Sequence, residues 1–146
     1  MRAKNDECTH VLLVDDDEID LMSIQRALTK LNIPVCFHIA RDGVEALEQL
    51  SGNIKATKPK IIVLDIMMPK MNGIEFLREL RSHIHYNPIK VVIFTTSSNI
   101  RDKQATTGLD IAGYFVKDSQ FNEFVYCCKH LLEKKITSII GQTRFF

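Results

Sequence analysis

Acidic residues crowd one point of the chain: Asp15, Asp16, Asp17 and Glu18 directly follow the apolar run His-Val-Leu-Leu-Val at 10–14. A lone carboxylate, Asp65, ends a second apolar run, Lys-Ile-Ile-Val-Leu at 60–64. Two hydroxyls, Thr95 and Thr96, end a third, Lys-Val-Val-Ile-Phe at 90–94, and one amine, Lys117, ends a fourth, weaker run at 112–116. If these four ends meet, the site holds three or more carboxylates, one or two hydroxyls and one ammonium. Two carboxylates ~5 Å apart repel by about 3 kcal/mol at an effective dielectric near 20. Three together raise one another's pKa or require a cation. Mg²⁺ suits a few carboxylates, several waters and a phosphoryl oxygen. Lys117 and Thr95 would then meet the remaining phosphoryl oxygens. One carboxylate can act as nucleophile and become an aspartyl phosphate, and Asp65, alone at the end of a buried run, is the candidate.

Each residue also has a plainer reading. Acidic residues after a strand often cap the next helix, which is a sufficient role for Asp17. Asp65 read alone is a turn residue before Pro69, and a single Lys or Thr at a strand end is usually solvated. The joint pattern at four strand ends is what favours a site.

The elements that must position these residues follow from patterning. The three strong runs are short, continuous and rich in β-branched residues, as expected of parallel strands covered on both faces. Weaker strands are expected at 35–40 and 112–116. Between them lie helical spacings: Ile24, Leu28 and Leu31; Val44 and Leu47; Gly73, Leu77, Leu80 and Ile84. The last segment carries one broad apolar stripe from Phe121 through Leu132. Residues 98–107 have almost no apolar side chains beyond Ile100 and Ala105, which predicts a weakly anchored helix. Turns are expected at Asn32-Ile33-Pro34 and Gly52-Asn53. The order is β-α five times over. The expected fold is α/β, a doubly wound five-stranded parallel sheet flanked by five helices, flavodoxin-like, with functional residues past the carboxyl ends of the strands.

The chain has 146 residues, 45% hydrophobic and 25% charged, with a net charge of +1. That suits one globular domain and gives no electrostatic footprint for nucleic acid. No apolar run approaches the ~18 residues of a membrane span. The N-terminus has no apolar stretch for a signal peptide. The four cysteines, Cys8, Cys36, Cys127 and Cys128, form no Cys-x-x-Cys pair and are expected as reduced thiols in a soluble cytoplasmic protein. His10, His38 and His130 look scattered, and His83 and His85 suit an exposed helix end.

The motifs Val11-Leu-Leu-Val-Asp-Asp-Asp17, Ala40-Arg-Asp-Gly-Val-Glu-Ala-Leu47, Val63-Leu-Asp-Ile-Met-Met-Pro-Lys-Met-Asn-Gly73, Ile93-Phe-Thr-Thr-Ser97 and Gly113-Tyr-Phe-Val-Lys117 resemble, in order and spacing, the receiver domain of two-component response regulators. The resemblance spans roughly residues 8–135. It implies Asp65 as phosphoacceptor, and Asp15, Asp16, Asp65 and the backbone carbonyl of Met67 as Mg²⁺ ligands. It implies that Thr95, Thr96 and Lys117 contact the phosphoryl group, and that Thr95 and Tyr114 form the switch. The phosphoryl group would come from a sensor histidine kinase or a histidine phosphotransfer protein. A downstream protein would read the surface of the fourth helix, fifth strand and fifth helix. The Thr95-Thr96-Ser97-Ser98 run looks like small receivers that partner phytochrome-type kinases.

Boundaries are expected at 1–9 for an N-terminal segment, 10–135 for the receiver and 136–146 for an extension with no output domain. The Phe145-Phe146 end either frays or extends the last helix into a partner or homodimer. One departure stands out: the family usually has a cis proline after the lysine, where this chain has Asp118. A non-proline cis bond costs ~3–4 kcal/mol, so a trans bond is expected, or else an unusual strained cis one, with Asp118 or Ser119 capping the last helix. Apolar Met67 cannot orient an attacking water, which predicts slow self-dephosphorylation. The expected protein is thus a signalling phosphoacceptor and not an enzyme in the usual sense. The alternatives are a degenerate receiver that only docks and a haloacid-dehalogenase-like phosphatase, disfavoured because Glu18 breaks its motif. A flavodoxin-like cofactor binder is disfavoured because four acids would repel a phosphate.

Overall fold

The computed structural model describes residues 8–52 and 58–144, with side chains as far as Glu133. Five strands, β1 (Thr9–Val14), β2 (Val35–Ala40), β3 (Ile61–Leu64), β4 (Lys90–Thr95) and β5 (Gly113–Val116), alternate with five helices. These are α1 (Glu18–Thr29), α2 (Gly43–Ser51), α3 (Gly73–Arg81), α4 (Ile100–Ala105) and α5 (Phe121–Arg144), with a 3₁₀ turn at Ile84–Tyr86. The strands form one parallel sheet in the order β2-β1-β3-β4-β5. The expected turn residue Asn53, residues 1–7 of the N-terminal segment and the Phe145-Phe146 end lie outside the described residues.

The apolar runs are continuous because successive side chains serve opposite faces. Leu12, Val14, Ile62, Leu64, Val91 and Ile93 join α2 and α3 in one core. Val11, Leu13, Ile61, Val63, Val92 and Phe94 join α1 and α5 in the other. There the Phe94 and Phe124 rings stack at 4.0 Å between centroids and 12° between planes.

The structure amends several local expectations. Val44 is exposed, and Ala46 and Leu50 carry the buried face of α2. Helix α3 stops at Arg81, which leaves Ile84 in the 3₁₀ turn, 79% exposed. Ser82 caps the end of α3, and there the Arg81 guanidinium donates to the carbonyls of Tyr86, Ile89, Leu109 and Asp110 at 2.9–3.1 Å. It ties α3 to the loops before β4 and β5. No cis peptide occurs among the described residues, in line with the trans reading at Lys117–Asp118. Neither Asp118 nor Ser119 sits at the start of α5. That position falls to Gln120, whose side-chain oxygen accepts from the Val116 N–H at 2.9 Å.

Cys8 and Cys36 are joined as a disulfide with Cα atoms 5.7 Å apart, which corrects the reading of all four cysteines as reduced. Their 28-residue separation hid the pairing, because only parallel register places the start of β1 beside the start of β2. Cys127 and Cys128 are free thiols. The same register brings His10 and His38 together, which sequence separation had made look scattered.

Candidate functional site

In an open parallel sheet, sites form where neighbouring crossovers leave in opposite directions. Here β2 lies on one side of β1 and β3 on the other, so the switch point falls between β1 and β3. Asp15 and Asp65 sit one residue past the ends of these paired strands, and both are buried. The Asp65 N–H donates to the Val14 carbonyl at 3.0 Å, which extends the ladder into the site. Carboxylate oxygens of Asp15, Asp16 and Asp65 lie within 4.8 Å of one another, with Asp16 exposed.

Helix caps fix the loops. Asp17 accepts from the Ile19 and Asp20 N–H groups and so starts α1 as its N-cap, the plainer role considered for it. The Asp17 N–H in turn donates to Asp15 at 2.9 Å. On the other side, the Gly73 N–H donates to the Ile66 carbonyl at 2.9 Å. A Cβ at Gly73 would lie 2.3 Å from the Asp65 carbonyl oxygen. The glycine eight residues after Asp65 therefore allows the first turn of α3 to rest on the backbone of the site.

Lys117, just past β5, reaches across the sheet edge. Its ammonium donates to Asp15 at 2.8 Å, Asp20 at 2.6 Å and Asp65 at 3.3 Å. Asp20 is the residue sequence reading missed. It sits in the first turn of α1, where an acid is common for dipole reasons alone, and nothing in its spacing to Lys117 marks it. One ammonium thus meets Asp15, Asp20 and Asp65, while exposed Asp16 lies beside Asp15 and Asp65. Burial pushes the Asp15 carboxyl up to about 6, with Asp65 adding to the rise against the Lys117 and Asp17 hydrogen bonds. Burial also works against the Lys117 charge, but the hydrogen bonds to Asp15 and Asp20 and the field of Asp65 hold the ammonium above its ordinary value. The pocket carries more negative charge than its own cation balances, and a hard divalent ion with oxygen ligands fits that deficit.

The remaining predicted residues line the same edge. Thr95 is fully buried, and its hydroxyl accepts from the Ser97 N–H at 3.3 Å. Thr96 is exposed, with its hydroxyl 3.9 Å from the Met67 sulfur. Met67 is 60% exposed, and its N–H donates to Asp65 at 3.3 Å. Half-buried Tyr114 donates its hydroxyl to the Ser97 carbonyl at 3.0 Å. Ser97 donates its own hydroxyl to Asp102 of α4 at 2.6 Å. Ser97 therefore joins Thr95, Tyr114 and α4 through three separate hydrogen bonds, a role its sequence position did not announce.

Sheet order, the acidic pair beside Asp65, and the lysine spanning both define a class of signalling domain: the chain belongs to the response regulator receiver family, whose model matches residues 11–128. Receiver domains act in two-component signalling and bind Mg²⁺ in an acidic pocket. Among curated relatives, the response regulator MprA of Mycobacterium sp. (strain KMS) is 30% identical over 124 residues, 85% of this chain and 50% of its own length. The chain thus spans about half the length of the curated relatives it matches. A two-component response regulator from Legionella pneumophila superposes with a TM-score of 0.72 at 38% identity, covering 84% of this chain and 97% of that one. The phosphorylated cyanobacterial phytochrome response regulator RcpA superposes with a TM-score of 0.76 at 29% identity, covering 90% and 96%. Among the described residues, no helix is long and apolar enough to cross a membrane.

Proposed function

We propose that this receiver, over residues 10–135, takes a phosphoryl group on Asp65 from a phosphohistidine of a sensor kinase or phosphotransfer protein. An Asp65 carboxylate oxygen attacks phosphorus, the O–P bond forms, the P–N bond breaks, and the histidine imidazole leaves with the electron pair and picks up a proton. The single observation that carries this reading is Lys117 bridging Asp15 and Asp65 across the switch point. That ammonium is placed to follow a phosphoryl oxygen once Asp65 is esterified. Asp15, Asp16, Asp65 and the Met67 carbonyl would hold Mg²⁺, which supplies neutralising charge for an anionic donor. Thr95 and Thr96 offer hydroxyls from the facing loop. That the cyanobacterial relative RcpA was solved phosphorylated is consistent with this reading.

The output follows from Ser97. Phosphorylation adds charge and strong acceptors next to Thr95. Drawing the Thr95 hydroxyl toward the phosphoryl group releases the Ser97 N–H, and Ser97 also holds Tyr114 and, through Asp102, α4. The α4–β5–α5 face then changes, and a cytoplasmic protein partner that binds the two states unequally reads the difference. Exposed, apolar Met67 offers no group to orient water, so the aspartyl phosphate is long-lived.

Acetyl phosphate with Mg²⁺ and intact-mass detection tests the proposal. Wild type should gain one phosphate-sized increment that Asp65→Asn does not, and removing Mg²⁺ should suppress it. Labelling that persists in Asp65→Asn sinks the assignment. No labelling of wild type leaves the docking-only receiver as the better reading. Rapid phosphate release in a chase would overturn the role given to Met67.

A further inference from the structure

At the opposite edge of the sheet from Asp65, parallel register collects a second set of ligating side chains. His10 pairs with Cys36 and Leu12 with His38. Because alternate residues of a strand share a face, Cys8 and His10 of one chain segment and Cys36 and His38 of the other all project on the face that carries Leu12 and Ala40. Donor atoms of Cys8, His10 and Cys36 lie within 4.8 Å of one another, and all three residues are half-buried. His38 completes the group, its Nε2 2.9 Å from Nδ1 of His10, with the rings 5.1 Å apart. The cluster contains two sulfurs and two imidazoles and no carboxylate.

We propose that, with its disulfide reduced, this Cys8-His10-Cys36-His38 group binds one Zn²⁺ as a closed tetrahedral site that pins the start of β1 to edge strand β2. Two thiolates and two neutral imidazoles are a preferred donor set for structural zinc, and they discriminate against Mg²⁺, which takes the acidic pocket. A tetrahedron with Zn–S ~2.3 Å and Zn–N ~2.0 Å places its donor atoms ~3.3–3.8 Å apart. Cys8, His10 and Cys36 already lie within 4.8 Å of one another, and reaching that figure with His38 takes side-chain rotation once the disulfide opens. In the disulfide form the two imidazoles meet each other at 2.9 Å, whereas a metal would take a nitrogen from each. The two forms exclude each other. A dithiol reductant gives two electrons and two protons to the Cys8–Cys36 bond and closes to its own disulfide. Zn²⁺ then displaces the two thiol protons as it binds. His10 and Asp15 are five residues apart along one strand direction, ~16 Å at ~3.3 Å per residue, so the two sites are separate.

The test uses the full chain, reduced with a phosphine and desalted, and titrated with Co²⁺ as the spectroscopic probe. The expected result is the intense visible spectrum of tetrahedral cobalt with thiolate charge-transfer bands, saturating at one equivalent and displaced by Zn²⁺. The bands should be absent from unreduced protein, lost in Cys36→Ser and retained in Asp65→Asn. His38→Gln, which spares both thiols, should weaken Zn²⁺ binding by no less than the ~10–100-fold that loss of a mere supporting partner costs. Acetyl phosphate labelling of Cys36→Ser reports that the variant is folded and that the acidic pocket is a separate site. A weak octahedral spectrum without thiolate bands, binding that survives Cys36→Ser in a variant that still labels, or binding indifferent to His38→Gln would each overturn the proposal.

Discussion

Helices α3 and α4 stand on the same edge of the sheet and follow strands that end in site residues, yet they are held in opposite ways. Helix α3 opens with a reciprocal cap, in which Asn72 accepts from the Glu75 N–H and Glu75 from the Asn72 N–H, each at 2.9 Å. It buries Ile74, Phe76, Leu77 and Leu80, and Arg81 anchors its end to carbonyls of the loops before β4 and β5. Helix α4 has six residues, none of them buried, with Ile100 67% exposed. Apart from half-buried Ala105, which touches the core, its ties are polar: Ser97 to Asp102, and the Lys103 ammonium 5.8 Å from the centre of the Tyr114 ring. One wall of the site is fixed by packing, the other by a few hydrogen bonds. Segments with few buried apolar contacts open at low free energy, so the second wall is the one a charge change at Asp65 can shift.

The largest expected effect contrasts the two helices directly. Phe76→Ala should lower unfolding free energy by ~3–5 kcal/mol, whereas Ile100→Ala should stay within ~0.5 kcal/mol, both by urea denaturation. A loss above ~2 kcal/mol at Ile100 would mean that α4 is anchored and would break the comparison.

Next in size is a stability gain. The Asp15 carboxyl sits at about 6 against an ordinary 3.8, so between those values the folded state binds more protons than the unfolded one. Its contribution is intact at low pH, declines as pH rises through that window and is lost above it. Asp15→Asn removes this penalty. Above pH 7 without Mg²⁺ it should be more stable than wild type by about 1–3 kcal/mol, and the difference should vanish near pH 4. Mg²⁺ should raise the melting temperature of wild type and not of Asp15→Asn. Denaturant titrations across pH check the sign, and a variant less stable than wild type at pH 7.5 would show that the hydrogen bond to Lys117 outweighs burial.

Gly73→Ala addresses the fixed wall. The new methyl must push α3 or the Asp65 carbonyl, at a cost of ~1–3 kcal/mol, and labelling by acetyl phosphate should slow even where the variant is fully folded. The smallest effect belongs to the loose wall. Asp102→Ala removes one hydrogen bond to Ser97 and should cost under ~1 kcal/mol, yet amide exchange in α4 should quicken while that in α3 does not change. Equal quickening in both helices would refute the asymmetry.

Much of this was legible from local pattern. Runs of β-branched residues place β1, β3 and β4 to within a residue, and the paucity of apolar residues at 98–107 marks α4 as weakly held. Asp15, Asp16, Asp65, Thr95 and Lys117 could be read as one site because each follows a strand end, and parallel strands bring those ends to one edge. What escaped were relations between residues distant in sequence. Asp20 meets Lys117 across 97 positions, Arg81 meets Leu109 across 28, and Cys8 meets Cys36 across 28.

Sequence alone determined the element order and the chemistry at each strand's end, because hydrophobic periodicity and turn residues act over a few neighbours. Only tertiary structure decided which carboxylates share the lysine, that Ser97 links Thr95 and Tyr114 to α4, and that two cysteines and two histidines form one cluster. Those outcomes depend on strand order and register, which are set by packing across the whole sheet and not by the pattern of any one segment.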